Sequence, residues 1–394
     1  PERFNVCLFL LALRRGVSAF ERGETAIETS VLSAARPIRL TFASNFLGSG
    51  GLGVYARRLA GALNTGPYAV TRVQEGGGQA ASPMPSDVEV AIRHGWDHGG
   101  TNSFAHGNFA HNILPEKARN VLVFGFVPTL LSEDRIDQIN RHFSLILCDS
   151  TWTAQAAHVA GIRPRVVALP PPLWRGEGPA YVLPLQQVPF TFLHVSNGDG
   201  FVKGTDLVVT AFVNAFGDSA NVRLILKLSG SGADHLKSGR RTRALVNALA
   251  AGNVELDTRR LDQQAMRILY SAADCYVHVP RSESLGMPPL EAAACGVPSI
   301  LHYGGPGHEL SKLVPHFLVS HEEISLPAAT YRDNRAALAF EASINELADV
   351  MVSVADGEMP SGEFIRPYGS SFEEAGCDVI VDHLLSVASA NGPR

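Results

Sequence analysis

The sequence predicts an α/β protein made of two parallel-sheet domains that face each other across a cleft. Two observations support this prediction. Strands alternate with helices along the chain, and the alternation starts twice, each time with an apolar strand followed by a glycine-rich turn. The length of 394 residues suits two domains of similar size, and a content of 45% hydrophobic and 18% charged residues indicates a packed globular chain.

The first cycle opens with the apolar, β-rich run Ile38–Ser44, which is followed by a glycine-rich turn at 48–53. The apolar spacing of residues 54–63 then predicts an amphipathic helix. A proline run at 170–172 marks where the chain leaves this sheet, because proline cannot continue a central strand. Short apolar runs predict further strands at 88–92, 120–124, 145–148 and 166–169.

The second cycle repeats this order, with an apolar strand at Phe190–Ser196, a glycine-containing turn at 197–200 and a helix over about 205–216. Later apolar runs predict strands at 222–228, 254–256, 275–279 and 299–302. The predicted units are an N-terminal extension at 1–36, a first domain at 37–185, a second domain at 186–366, and a C-terminal helical segment at 367–394 that packs back on the first domain.

Charge and cysteine content restrict the function. The net charge is −5, with 17 Lys and Arg against 14 Asp and Glu in residues 1–185. An acidic chain without basic clusters is a poor nucleic-acid binder, so we expect no nucleic-acid partner. The basic excess of the first half favours an anionic acceptor or a peripheral membrane contact, but it is too small to decide between them. Five scattered cysteines without a C-x-x-C pair argue for a reducing, cytoplasmic location.

The most informative segment runs from residue 270 to 298 and contains two glutamates with seven residues between them. Glu283 is predicted in a loop after a buried strand and Glu291 about one turn into the next helix, so both face a ligand at the helix N-terminus. A carboxylate suits paired sugar hydroxyls because it accepts two charge-assisted hydrogen bonds. A lone Glu291 would be interpreted as a helix-start carboxylate that interacts with the dipole, but the whole segment argues against that interpretation.

This segment closely resembles the signature of the retaining glycosyltransferases of family four, which have the GT-B fold of two Rossmann-like domains. The resemblance implies that Glu291 holds the donor ribose and that Glu283 contacts the transferred sugar. It also implies that backbone amides after Glu283 hold sugar hydroxyls and diphosphate. The family usually has Gly-Phe-Gly where this chain has Ser-Leu-Gly. The donor-binding residues implied in this loop are Glu283, Ser284, Leu285, Gly286, Met287 and Glu291.

Two lysines of the second domain are candidates for neutralising the diphosphate. Lys203 precedes a predicted helix beside a glycine, and the resembled family has its phosphate lysine in the same Lys-Gly context. The alternative is an ordinary solvated lysine. The family commonly has an arginine where this chain has Gly198. Lys227, inside an apolar strand, is a candidate substitute, and since an unpaired buried lysine is costly we expect it either on a sheet edge or against an anion.

The glycine-rich turn of the first domain formally matches G-x-G-x-x-G, which makes an NAD(P)-dependent oxidoreductase the competing interpretation. Such an enzyme needs an acidic residue about twenty positions later, at a strand end, and this window offers only Glu75. In the resembled family a Gly-Gly turn at this place lets the backbone approach the donor diphosphate. That donor-binding role falls on Gly50 and Gly51.

One departure from the family concerns a histidine at the end of a first-domain strand, close to the reacting carbon. The corresponding run of this chain passes through Gly125 without a histidine, and His94, His106 and His111 are the histidines that could reach the cleft. No constellation suggests a covalent nucleophile or a divalent metal site. We therefore expect a metal-independent mechanism in which the leaving diphosphate helps to deprotonate the acceptor.

The sequence thus predicts a retaining hexosyltransferase with Glu283 and Lys203 as its catalytic residues. Its donor would be a nucleotide diphosphate sugar, with UDP as the first choice, and no further cofactor is expected. The acceptor would be a glycan, a lipid or a small molecule. Two alternatives stay open: a GT-B-like protein that binds sugar nucleotides without turning them over, and the oxidoreductase.

Overall fold

The computed structural model describes residues 37–44, 46, 51–64, 68–74, 87–95, 118–124, 133–168, 189–196, 201–228, 249–250, 252–326 and 337–362. These residues form two six-stranded sheets with helices packed against them, and every strand pair within the two sheets is parallel. The predicted α/β class with two parallel sheets is therefore confirmed.

The first sheet has the spatial order β2-β1-β3-β4-β5-β6. Its strands are β1 (Ile38–Ser44), β2 (Tyr68–Gln74), β3 (Val90–Gly95), β4 (Arg119–Phe124), β5 (Leu145–Cys148) and β6 (Arg165–Ala168). The helices that accompany them are α1 (Gly51–Leu63), α2 (Glu133–His142) and α3 (Thr151–Val159).

Alternate residues of the central strands fill two separate cores, one on each face of this sheet. On β4, Val121 packs in the core that holds Leu59 of α1, whereas the next residue, Leu122, packs in the core that holds Ile139 of α2 and Ala157 of α3. Because side chains of a strand point to opposite faces in turn, the apolar run of β4 needs helices on both sides. The first domain is therefore a doubly wound α/β unit.

The second sheet has the spatial order β12-β11-β10-β7-β8-β9. Its strands are β7 (Phe190–Ser196), β8 (Val222–Leu228), β9 (Val254–Asp257), β10 (Cys275–His278), β11 (Ser299–His302) and β12 (His316–Val319). The helices are α4 (Thr205–Phe216), α5 (Gln263–Ser271), α6 (Met287–Ala294), α7 (Gly307–Leu310) and α8 (Ile344–Ala355).

An antiparallel hairpin, which the sequence did not predict, follows the second sheet. It consists of β13 (His321–Leu326) and β14 (Ala337–Ala342). Leu326 and Ala339 of the hairpin pack on Val202, in the turn between β7 and α4. The hairpin therefore supports a turn at the carboxyl edge of the second sheet.

The two domains meet at the carboxyl ends of their strands. Asp149 and Ser150 directly follow β5, and both hydrogen-bond Ser284, which lies in the loop that follows β10. Ligands of open α/β sheets bind at this edge, so we expect the functional site between the two domains. The described residues include no helix long and apolar enough to cross a bilayer.

Candidate active site

Three of the four charged residues that the sequence assigned to the donor come from three neighbouring segments of the second domain. Lys203 lies in the turn between β7 and α4, Glu283 in the loop after β10, and Glu291 in α6. Strands β7 and β10 are adjacent and parallel in the sheet, so their carboxyl ends bring Lys203 and Glu283 together. The position of the predicted site at this edge follows from the strand order.

Lys203 and Glu283 form a partly buried ion pair, with 2.5 Å between Nζ and Oε2. Burial raises the pKa of Glu283, but the charge of Lys203 and the hydrogen bonds to the carboxylate outweigh it and leave the pKa below its usual value. Glu283 is therefore an ionised hydrogen-bond acceptor at neutral pH. Lys203 is not an ordinary solvated lysine, because its ammonium group pairs with Glu283 in the loop that follows β10.

The structure requires glycine at position 204, directly after Lys203. It has φ +73° and caps the N-terminus of α4, and a Cβ added to it would lie 2.1 Å from the carbonyl oxygen of Val279. Only glycine accepts both this backbone conformation and this close approach. The turn that carries Lys203 is thereby pressed against the end of β10.

Arg281, which is 2% exposed, fixes this turn from the other side. Its guanidinium donates to both carboxylate oxygens of Asp206 in α4, at 2.7 and 3.0 Å, and to the carbonyl oxygen of Phe201 at 2.7 Å. It also stacks over the Phe201 ring at 4.0 Å and donates to Glu341 of the hairpin at 2.5 Å. A buried arginine with this many partners holds the Lys203 and Glu283 segments in one fixed arrangement.

Glu291 is buried in α6 and its two carboxylate oxygens have different partners. Arg58 of α1, in the first domain, donates from Nη2 to Oε1 at 2.8 Å, and the hydroxyl of Tyr270 donates to Oε2 at 3.0 Å. A carboxylate has about four lone-pair sites, so these two bonds leave acceptor capacity for ribose hydroxyls. The contact with Arg58 makes Glu291 a residue of the interdomain boundary as well as of the predicted donor site.

The loop 284–287 offers fewer backbone donors than expected. The amide of Ser284 donates to Oε1 of Glu283 at 3.2 Å, and Leu285 is fully buried among apolar side chains. Two prolines in the first turn of α6 have no N–H, and no side chain caps this helix. The amides of Gly286 and Met287 are the remaining candidates for binding phosphate or sugar oxygens.

Gly286 has φ +99°, and a Cβ on it would lie 2.5 Å from Nε2 of His278. Glycine is therefore required for the turn that leads into α6. His278 is buried, its Nε2 has no hydrogen-bond partner among the described residues, and burial lowers its pKa to about 3. The imidazole is neutral. It lines a cavity together with Glu283, Trp152 of the first domain and Phe340 of β14.

The position of Lys227 differs from one of its two predicted environments, a sheet edge. Strand β8 lies between β7 and β9, so this buried lysine is not on a sheet edge. Its Nζ donates to the carbonyl oxygens of Leu228, Asp257 and Arg259, at 3.3, 3.4 and 2.7 Å. Burial lowers its pKa, against the opposing charge of the Asp257 carboxylate. Three carbonyl oxygens accept hydrogen bonds from this ammonium group, and a role in donor binding stays a prediction.

In the first domain, α1 begins at Gly51, three residues earlier than predicted, so the second half of the predicted glycine-rich turn belongs to the helix; the donor-binding role of Gly51 stays a prediction. His94 lies at the end of β3, where its Nδ1 is 3.0 Å from Oγ of Ser44, and burial lowers its pKa to about 4. A neutral, enclosed imidazole fits a structural role. The predicted residues and segments outside the described ranges are Gly50, Glu75, His106, His111, Gly125, Gly198, the extension 1–36 and the C-terminal segment 367–394.

Asp149, which the sequence reasoning missed, directly follows β5 and faces the loop of Glu283. It accepts a hydrogen bond from the hydroxyl of Ser284 at 2.6 Å, and the hydroxyl of Thr153 lies 3.4 Å from its other carboxylate oxygen. Burial raises its pKa to about 7, and the like charge of Glu283 adds to this, against the hydrogen bonds that lower it. A polar residue immediately after a fully apolar strand was the signal that could have identified it.

Comparison with known proteins gives a family match for one third of the chain and a fold match for most of it. Residues 191–322 match the family model described as Glycosyl transferases group 1, and this third of the chain contains Lys203, Glu283 and Glu291. No curated protein matches the chain significantly.

Among solved structures, the chain has the fold of GT-B glycosyltransferases. A glycosyltransferase from Rickettsia africae matches with a TM-score of 0.60 and 12% identity, over 91% of this chain and 100% of the other. Anabaena HepE in complex with UDP-glucose matches with a TM-score of 0.58 and 16% identity, over 90% and 100%. The same protein in complex with UDP and glucose matches with a TM-score of 0.57 and 14% identity, over 89% and 97%.

Proposed function

We propose that this protein is a retaining glycosyltransferase that moves a hexose from a nucleotide diphosphate sugar to an acceptor hydroxyl. The observation that carries the proposal is the convergence of Lys203, Glu283 and Glu291 at one edge of the second sheet, inside the segment that matches the glycosyl transferases group 1 model. An adjacent ammonium and two carboxylates, at a helix N-terminus, suit a diphosphate flanked by two polyols.

Each residue has a distinct task in this proposal. Glu291 accepts hydrogen bonds from the ribose hydroxyls, while the amides of Gly286 and Met287 bind the sugar or diphosphate oxygens. Lys203 stabilises the negative charge that develops on the diphosphate as the glycosidic bond breaks. In the absence of ligand its charge is balanced by Glu283, and the donor diphosphate would take over part of that contact.

Glu283 is proposed to bind the transferred sugar. An ionised carboxylate accepts hydrogen bonds from sugar hydroxyls, and its position relative to Lys203 fixes the anomeric carbon near the leaving oxygen. The acceptor hydroxyl attacks the anomeric carbon on the face from which the diphosphate departs, and its proton passes to the diphosphate. Charge neutralisation by Lys203 and backbone amides needs no divalent metal and no cofactor beyond the sugar nucleotide.

UDP is the proposed nucleotide, because two solved structures with this fold hold UDP or UDP-glucose. A glycan, a lipid or a small molecule is the proposed acceptor, and polysaccharide synthesis is one process that such a reaction serves. Within the described part of the chain, Cys148, Cys275 and Cys295 are free and buried, which favours a reducing compartment and supports the cytoplasm as the proposed site of action.

The test is a thermal-shift screen of UDP-, GDP-, ADP- and dTDP-sugars beside NAD and NADP. A saturating ligand of the folded state raises the melting temperature by mass action. We expect a UDP-sugar to give the largest shift, and product formed from it to retain the anomeric configuration in a proton NMR spectrum. Inversion of the anomer would refute retention. A shift with NAD alone would favour the oxidoreductase, and binding of sugar nucleotides without any turnover or hydrolysis would favour the non-catalytic alternative.

A further inference from the structure

The N-terminus of α3 hydrogen-bonds the second domain at two separate places. Asp149, Ser150 and Thr153 contact Ser284, in the loop of Glu283. Thr151, between them in the sequence, contacts Glu309 of α7 instead. Of these two hydrogen-bonded contacts, only the first includes the loop of the proposed site.

The first domain hydrogen-bonds both the side chain and the backbone of Ser284. The hydroxyl of Ser284 donates to Oδ2 of Asp149 at 2.6 Å. Its carbonyl oxygen accepts from the hydroxyls of Ser150, at 2.5 Å, and Thr153, at 3.2 Å. Three bonds from one domain to a single residue of the other fix its main chain as well as its rotamer.

Ser284 transmits this constraint to Glu283, its neighbour in the chain. The amide of Ser284 donates to Oε1 of Glu283 at 3.2 Å, and Oε2 of the same carboxylate accepts from Lys203. A displacement of Ser284 would therefore move the carboxylate relative to the ammonium group. Glycine, which the resembled family usually has at this position, could not form the bond to Asp149.

We propose that Asp149 is a positioning residue. Through its hydrogen bond with Ser284 it holds the carboxylate of Glu283 beside Lys203, and it does so only when the two domains are closed. Closure of the domains and assembly of the catalytic loop are then one event, and the sugar is bound correctly only in the closed form. This inference rests on the proposed glycosyltransferase function, because it assigns Glu283 to the transferred sugar.

The contact between Thr151 and Glu309 supplies a matched control. The amide and hydroxyl of Thr151 donate to Oε2 of Glu309 at 2.8 and 2.5 Å. Like the contact between Ser284 and Asp149, it joins a hydroxyl of one domain to a carboxylate of the other, but it does not include the loop 282–287. A role in domain association alone predicts similar effects from both contacts.

The experiment compares Asp149→Ala, Ser284→Ala and their double variant with Thr151→Val and Glu309→Gln. We expect Asp149→Ala and Ser284→Ala each to lower kcat about ten- to hundredfold with less than a threefold change in donor KM, as for one lost charge-assisted hydrogen bond. The double variant should be no slower than the slower single variant, because both remove the same contact. Ser284→Thr, which keeps the hydroxyl, should restore most of the rate, and the control variants should stay within about threefold of the wild type.

Equal losses of kcat in the control variants, or additive losses in the double variant, would overturn the positioning role. Hydrogen exchange of the amides in 282–287 gives a readout that does not depend on turnover. We expect faster exchange in Ser284→Ala than in Thr151→Val. If the wild type transfers no sugar, the proposed function fails by itself, and unchanged exchange in Ser284→Ala would separately refute the contact as a constraint on the loop.

Discussion

The interdomain pair of Arg58 and Glu291 should contribute measurably to stability. Both side chains are 10% exposed, and 2.8 Å separates Nη2 from Oε1. Removal of one partner from a buried ion pair costs about 3–5 kcal/mol, because the other charge is left without compensation. Tyr270 still donates to the second carboxylate oxygen, so Arg58→Met should lower the free energy of unfolding by about 3 kcal/mol, the lower end of this range.

The assay is a double-mutant cycle of Arg58→Met and Glu291→Gln in urea-induced unfolding, followed by intrinsic fluorescence. The coupling between the two substitutions should be about 2 kcal/mol, within the range found for residues in direct contact. Arg57 supplies the control, since it precedes Arg58 in α1 but donates to the carbonyl oxygen of Phe46 within the first domain. Arg57→Met should be additive with Glu291→Gln.

Additivity of Arg58→Met and Glu291→Gln within about 0.5 kcal/mol would refute this reasoning, because it would show that neither residue is affected by the other. A coupling as large for Arg57 as for Arg58 would also refute it. In that case the energy would belong to the helix as a whole rather than to the contact between the domains.

Three further predictions concern the site. Glu291→Gln should mainly raise the donor KM and Glu283→Gln should mainly lower kcat, each about ten- to hundredfold. Initial rates measured over a range of donor concentrations separate the two parameters. An unchanged KM in Glu291→Gln, or an unchanged kcat in Glu283→Gln, would contradict this assignment. Burial raises the pKa of Asp149 from 3.8 to about 7, so its protonated form stabilises the fold below pH 4 and this contribution is lost as the pH rises to 7. The unfolding free energy of the wild type, relative to Asp149→Asn, should therefore fall between pH 4 and 7 by up to about 4 kcal/mol in urea titrations, and a flat difference would disprove the shift. Gly204→Ala should lower the melting temperature by at least about 5 °C, because the added Cβ combines left-handed backbone strain with a collision with the carbonyl oxygen of Val279. An unchanged melting curve would mean that the turn relaxes without cost.

The opening strands of both domains were predicted to the residue, at Ile38–Ser44 and Phe190–Ser196. Each is an apolar run with a neighbouring strand on both sides in a parallel sheet, and its sequence is followed by glycine or asparagine residues typical of turns, so composition and boundary agree. Strand β2 (Tyr68–Gln74) was missed because it lies at the sheet edge, where exposed residues interrupt its apolar ones and leave no continuous apolar run. The hairpin was missed because β13 contains consecutive charged residues and no continuous apolar face.

The site was predictable where it lies within one stretch of chain and not where it joins two domains. The spacing of Glu283 and Glu291 is a local property of a strand, a loop and a helix, so the sequence carries it directly. The contact of Arg58 with Glu291 depends on how two separately folded sheets dock, and no local pattern encodes that distance. The same applies to Asp149, whose partner Ser284 is 135 positions further on.

The separation of Arg58 and Glu291 along the chain also sets an order of assembly during synthesis. The two residues are 233 positions apart, so at about 5–20 residues per second the ribosome needs roughly 12–47 s to reach the second after the first. With its predicted boundary at residue 185, the first domain is complete only for the last 106 of these positions (from 185 to 291), roughly 5–21 s, and then presents Arg58 and Asp149 to water before Glu291 has been made. The second domain then emerges and docks on that surface. Because Arg58 hydrogen-bonds Glu291 in the second domain, we expect its substitution to act at this docking step, after the first domain has folded.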